Sequence, residues 1–346
     1  MKFKFFFTTF SFCLASAGAW AQDSLKNPLL ISGTVDAYYR FANDGTPSLT
    51  AFNRAANGFA LGMADINVSK TVGKAGFSAS LSFGERAELI GYNVFGKGSL
   101  AALRQVFVFY KPTEKLKLTL GSFNTHVGYE LNEPTNSNYS LSYLFTNGPY
   151  FHTGAKAEYA FSSEFSGMIG VFDDNDSKTD AVKGKHVGAQ LAYQKGKIKA
   201  FLNFLRGRDL DSLTGQQFDL VVNYQLTPKI ALGLNASQKQ LTTQKQAEIV
   251  VSENKSWSGA AIYATYSANE RLSISARHEY FADPNAFFYN ISDLKINATT
   301  LSLNYKVNDL TLIPELRFDG ANSNLFGVEK DKKSAISLLF ATVYKF

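Results

Sequence analysis

The stretch 334–346, SAISLLFATVYKF, constrains the fold more than any other part of the chain. Ile336, Leu338, Phe340, Tyr344 and Phe346 fall on one parity, with Thr342 the only polar residue among them. Ser337, Leu339, Ala341, Val343 and Lys345 fall on the other. A strand sends alternate side chains to opposite faces, so this segment carries one apolar, aromatic face. Left unpaired in water, such an edge is an aggregation hazard. A strand that zips against the first strand of a closed sheet and turns its greasy face to lipid escapes that hazard.

The rest of the chain repeats the pattern. In 29–41, Ile31, Val35, Ala37, Tyr39 and Phe41 oppose Ser32, Thr34, Asp36 and Arg40. In 76–83, Phe77, Ala79, Leu81 and Phe83 alternate with Ser78, Ser80 and Ser82, a period of two that a helix would not produce. Further strands are expected at 60–72, 102–110, 116–123, 153–161, 165–172, 186–193, 198–206, 217–224, 230–240, 257–266, 272–281, 298–305 and 310–319. Each is about eight to eleven residues, the length a tilted strand needs to cross a bilayer. Short turns such as Gly73-Lys74-Ala75-Gly76 join the members of each pair. Longer polar segments separate the pairs, at 42–58, 84–99, 124–152, 173–185, 207–216, 241–256, 282–297 and 320–333. This organisation predicts an all-β fold: a transmembrane, antiparallel, up-and-down β-barrel of about sixteen strands with short periplasmic turns and long extracellular loops. A soluble propeller or sandwich would also alternate. The regular short/long connections argue against it, as does a girdle of Tyr39, Tyr110, Tyr159, Tyr193, Tyr224, Tyr263, Tyr280, Tyr305 and Tyr344 near strand ends.

Residues 1–21 are expected to be a secretory signal: Lys2 and Lys4, an apolar stretch over 5–17, and the small-x-small triplet Ala19-Trp20-Ala21. The barrel then occupies 22–346. The single cysteine, Cys13, lies in the signal, so the exported chain offers no thiol for a disulfide or a metal. Beyond the signal no run of about eighteen apolar residues occurs, which leaves a barrel or peripheral attachment as the routes to a membrane. The formal charge of +6 becomes +4 without Lys2 and Lys4, too diffuse to indicate nucleic acid. Aromatic residues make up 14% of the chain at a mean hydropathy of only -0.12, which suits a protein with much half-apolar surface.

The longest loop reads NTHVGYELNEPTNSNYSLSYLFTNGPYFHTG. Gly121-x-Phe123, Gly128-Tyr129-Glu130, Asn138-Tyr139-Ser140, and Pro149 followed by His152-Thr153-Gly154 resemble the OmpL-like β-barrel porin family. The final strand, closing on Phe346, resembles the C-terminal strand of bacterial outer-membrane barrels. The resemblance implies an outer-membrane location, lipid and small hydrophilic solutes as partners, handling by the barrel assembly machinery through the strand ending at Phe346, and association into homotrimers. By analogy with general porins, 124–152 is a candidate constriction loop, with Glu130, Glu133, Asn136, Asn138 and Tyr139 suited to a hydrated lining.

Parity assigns Asp36, Arg40, Asp65, Asn67, Lys156, Glu158, Asn203, Asp219, Asn223, Asn235, Arg277, Glu279, Glu315, Arg317 and Asp319 to the pore lining. Both signs are present, so no single-signed ring is expected, and the function read from the chain is passive, weakly selective diffusion of small hydrophilic solutes. The alternative is a surface-exposed barrel enzyme, phospholipase- or protease-like, or an adhesin. Only four histidines exist: His126, His152, His186 and His278. His126 and His152 flank the long loop near Glu130 and Glu133 but lack any metal-ligand spacing. His278 shares parity with Ile274 and Tyr280 and is expected to face lipid, with no Ser or Asn beside it. Asp173, Asp174, Asn175, Asp176 and Asp180 form an acidic loop without the glycine and closing glutamate of an EF-hand. No catalytic residue, metal or cofactor is therefore expected, no nucleotide motif occurs, and 22–28 is too short for a plug.

Overall fold

The computed structural model describes residues 27–90, 99–180, 184–210, 213–243 and 255–346. The expected signal 1–21, with Cys13 and the cleavage site before Gln22, lies outside the described residues. Sixteen strands form one closed antiparallel barrel, each paired with its neighbours in sequence. In chain order they are β1 (Leu30–Ala42), β2 (Gly58–Val72), β3 (Ala75–Phe83), β4 (Leu103–Tyr110), β5 (Leu116–Asn124), β6 (Phe151–Ala160), β7 (Phe165–Phe172) and β8 (His186–Lys195). There follow β9 (Ile198–Leu210), β10 (Leu213–Thr227), β11 (Ile230–Thr243), β12 (Lys255–Ser267), β13 (Leu272–Asn285), β14 (Ser292–Val307), β15 (Leu310–Ala321) and β16 (Ser334–Lys345). Among the described residues, short helices of one to two turns ride in the loops: α1 (Glu85–Ile90), α2 (Ser99–Ala102) and α3 (Tyr143–Thr146).

The cylinder closes where β1 pairs with β16, from Thr34 opposite Lys345 to Ala42 opposite Ser337. Gly33 and Phe346 extend the seam with reciprocal backbone hydrogen bonds of 2.9 and 3.1 Å. Closure matters physically because lipid cannot satisfy an open strand edge. The alternation that defined the last strand is realised outward: Ile336, Leu338, Phe340, Tyr344 and Phe346 are exposed on the outer wall, while Leu339, Ala341 and Val343 are buried inside.

Two segments differ from expectation. The polar stretch 207–216 is not a long loop: β9 continues to Leu210 and β10 begins at Leu213, with Leu210 and Leu213 ladder partners. Likewise β13 and β14 cover most of 282–297, leaving only 286–291 between them. Above the membrane both faces of a strand are wet, so alternation fades although the ladder continues. The tyrosine girdle holds at Tyr39, Tyr110, Tyr159, Tyr280, Tyr305 and Tyr344, all exposed outward, but Tyr263 is only 8% exposed and points inside. No helix among the described residues is long and apolar enough to cross a membrane.

Candidate functional site

The segment between β5 and β6 enters the barrel, and wall side chains hold it there at most of its length. Its descending limb runs along β9 to β12. His126 Nε2 lies 3.0 Å from the Phe204 carbonyl, and the Gly128 N–H donates to Asp219 Oδ1 at 3.0 Å. Tyr129 stacks on Tyr263 with ring centroids 4.0 Å apart. At β13, Arg277 donates to Glu130 Oε1 and to the Ser140 carbonyl, both at 2.6 Å. The chain then crosses toward β4, where Glu133 pairs with Arg104, itself bound to Asp65 at 3.0 Å. It returns to the opposite wall. Asn138 donates to Ser302 Oγ at 2.7 Å, and Glu315 accepts from the N–H groups of Tyr139 (2.7 Å) and Ser140 (3.1 Å). The Tyr139 hydroxyl donates to Asp36 at 2.5 Å. Arg317 donates to the Leu141 carbonyl at 2.8 Å, and Glu279 accepts from the Tyr143 N–H at 2.6 Å.

A loop has no ladder to satisfy its backbone, and a buried unpaired N–H costs about 1–3 kcal/mol. The wall supplies those partners: carboxylates accept from loop N–H groups, and guanidiniums donate to loop carbonyls. Charge-assisted bonds of this kind are short and strong. The hydroxyl of Ser142 caps α3 by accepting from the Phe145 N–H at 3.0 Å, and Glu130 in turn accepts from Ser142 N–H and Oγ. The loop's apolar side chains fill the extracellular half. Tyr143 and Leu144 pack with Trp257, Phe281, Leu294 and Ile296; Leu141 and Phe145 pack with Phe52 and Phe151.

The wall residues that parity assigned to the lining bond mainly to protein. Asp36, Arg40, Asp65, Asn203, Asp219, Asn235, Arg277, Glu279, Glu315, Arg317 and Asp319 all point inward and are all buried. Arg40 donates to the Thr46 and Ala55 carbonyls of the first extracellular loop at 2.9 and 2.7 Å. Arg317 also pairs with Asp319 and Glu279. Asn203 and Asn235 brace Asp219 at 2.8 and 2.6 Å. Asn67 accepts from Ser78 and Ser80 within the wall. Lys156, Glu158 and Asn223 are half-buried, away from the loop's anchors. Of the loop residues singled out from sequence, Glu130, Glu133, Asn138 and Tyr139 contact the wall. Asn136 instead closes the loop on itself, bonding both the N–H and the carbonyl of Leu131 at 2.9 Å.

At the loop's root three histidines gather around Phe172. His152 stacks on it at 4.5 Å, His126 lies 5.3 Å from His152, and His186 bonds the Asp173 carbonyl at 3.1 Å. Burial pushes the His126 imidazole down to about 4. Among the described residues no cluster of three or more His, Cys, Asp or Glu is placed to hold a metal. The acidic loop is instead tied by Lys185, 2.7 Å from both Asp173 and Asp180, while Asp176 accepts from the N–H groups of Tyr150 and Phe151. Lys178 lies over the Phe151 ring at 3.7 Å, and burial, with Arg104 beside it, pushes its ammonium down to about 7.

A sequence signal for the loop's docking lies in glycines at interior parity. A Cβ on Gly233 would stand 2.4 Å from the Tyr129 hydroxyl, and one on Gly259 would stand 2.4 Å from the Tyr280 carbonyl of β13 and 2.8 Å from Leu144. One on Gly188 would stand 2.7 Å from His126. These gaps in the wall receive loop side chains. Gly233→Leu is expected to eject Tyr129 from its stack and to weaken loop docking by about 1–3 kcal/mol. Limited proteolysis of the folded barrel checks this: cleavage within 126–137 accelerates while the strands stay resistant.

The sequence matches the family model described as "Putative beta-barrel porin-2, OmpL-like" over residues 28–346. No curated protein sequence matches the chain. Among solved structures, the anion-selective porin from Comamonas acidovorans is similar at 12% identity and a TM-score of 0.64, over 92% of this chain and 100% of that one. A loop-deleted form of the outer-membrane protein OmpT of Vibrio cholerae superposes at 13% identity and a TM-score of 0.62, over 92% and 99%. OprB of Pseudomonas putida superposes at 11% identity and a TM-score of 0.61, over 95% and 97%. At such identities the likeness is one of fold.

Proposed function

The chain belongs to the OmpL-like β-barrel porin family and is an outer-membrane channel, and on that premise we propose that it passes small hydrophilic solutes by passive diffusion past an inward-folded constriction loop, 125–150. The observation that carries the reading is the anchoring of that loop from β9 round to β1, with the crossing at Glu133 and Arg104 bridging the open side. The apolar packing of Tyr143, Leu144 and Phe145 narrows the extracellular half, so the channel admits only small solutes. The driving force is the gradient alone, with no covalent step. Homotrimer assembly and insertion through the strand ending at Phe346 extend the same reading.

Liposome swelling with sugars of graded size tests it. Monosaccharides are expected to enter at a measurable rate and trisaccharides far more slowly. Equal exclusion of all of them would contradict a diffusion channel. We read the chain as non-enzymatic. His278 lies on the outer wall opposite Ile262 and Thr299, with Thr299 Oγ1 at 2.9 Å from Nδ1, but among the described residues no third group orients the imidazole through its other nitrogen. Phospholipid or peptide turnover by the purified barrel, lost in His278→Ala, would overturn that.

A further inference from the structure

The inward carboxylates and the inward ammonium groups occupy different environments. Asp36, Asp65, Asp219, Glu279 and Glu315 are each under 5% exposed, and each accepts hydrogen bonds from the loop, from guanidiniums or from the wall. The docked loop covers them, so their charge is met by protein and screened from a passing ion. The lysines near the periplasmic mouth have no such cover. Lys199 lies four residues before the interior-facing Asn203 on β9. Lys306 lies two after Asn304 on β14, and Lys345 two after Val343 on β16. Period-two alternation turns all three inward, and all three are exposed. Lys117 of β5 faces the same space across from Glu158, an inward carboxylate whose side chain is more than a third exposed, and Lys117 and Lys156 stand 3.1 and 3.8 Å from it. The sequence mixes signs along the wall; in the fold the inward guanidiniums are buried together with the acids they pair with, while Lys199, Lys306 and Lys345 are left in the water.

We propose that Lys199, Lys306 and Lys345 make the channel prefer anions, as a ring of ammonium groups at the periplasmic mouth that sets which small hydrophilic solutes pass. The inference rests on the porin reading above. Ammonium groups around a water-filled mouth with a low-dielectric wall raise the local anion concentration and exclude cations. The reach of that field shrinks with salt, from about 10 Å at 0.1 M to about 3 Å at 1 M.

Reversal potentials in planar bilayers test it, using the full processed chain and a KCl gradient of about 1 M against about 0.1 M. Chloride is expected to be favoured over potassium by about threefold or more, with the ratio rising as both sides are diluted. The triple variant K199Q/K306Q/K345Q is expected to bring the ratio near unity, and K199E/K306E/K345E to invert it, with current persisting in both. A conducting wild type with a ratio at or below unity overturns the proposal, and so does a ratio that neither triple variant moves. A folded barrel carrying no current at all instead overturns the porin reading, and this inference with it.

Discussion

Replacing Arg277 with alanine is expected to release the loop while the barrel stands. Arg277 is fully buried and holds four partners: Glu130 and the Ser140 carbonyl at 2.6 Å, Thr300 Oγ1 at 3.1 Å, and Glu279 at 3.5 Å. Removing it leaves Glu130 and Glu279 close together in a dry site, with Arg317 the remaining cation on Glu279 at 3.3 Å. Removing one partner of a buried pair costs about 3–5 kcal/mol, because the other charge is left uncompensated. The strand itself survives, since β13 is held to β12 and β14 by continuous backbone ladders. The loop is the element that yields, as undocking returns Glu130 to water. Hydrogen exchange at 138–143 is therefore expected to accelerate by about 100-fold or more, since every 1.4 kcal/mol is a factor of ten. Single-channel records are expected to flicker to a larger open level. Arg277→Lys is expected to rescue little, because an ammonium cannot reproduce the planar fork. Adding Glu130→Ala to Arg277→Ala is expected to recover part of the loss, as in any pair that is coupled. Unchanged exchange and an unchanged current trace in Arg277→Ala would show that the loop is held by something else.

Much of the fold was legible because a membrane wall imposes a strict period. Phe77, Ala79, Leu81 and Phe83 against Ser78, Ser80 and Ser82 can be read one way only, and the register of β2 with β3 follows. Where the wall leaves the bilayer that constraint ends, which is why Gly207-Arg208 looks like loop text while forming ladder. On β12 the period gave a wrong answer. Ile262 and Tyr266 face lipid, but Trp257, Ala261 and Tyr263 form an interior stripe that is equally apolar, so hydropathy does not distinguish its faces. The inner stripe is apolar because loop side chains pack on it.

The site was legible only in direction. Parity says that Glu315 and Arg317 point inward; it says nothing of the loop backbone more than 170 residues away that meets them. Backbone N–H and carbonyl groups have no sequence identity, so carboxylates that anchor a loop look the same in sequence as carboxylates that line a pore. The mixed signs along the wall, which suggested weak selectivity, reflect these anchors. The interior glycine at Gly233 was the available hint, since the atoms nearest to where its Cβ would stand all belong to Tyr129 of the loop.

The most direct measurement compares the single-channel conductance of the native barrel with that of a barrel lacking 126–149. Asn124 and Phe151 are ladder partners, so a short Gly/Ser turn can close β5 onto β6 without disturbing the wall. Removing the loop withdraws Tyr139, Tyr143 and Leu144 from the interior and exposes Glu279, Glu315, Arg277 and Arg317 to water. Conductance is expected to rise about threefold or more, with the native barrel already conducting in small, steady steps. A native barrel whose current equals that of the loopless one, or a loopless barrel that carries no current, would contradict a diffusion channel narrowed by its own inward loop.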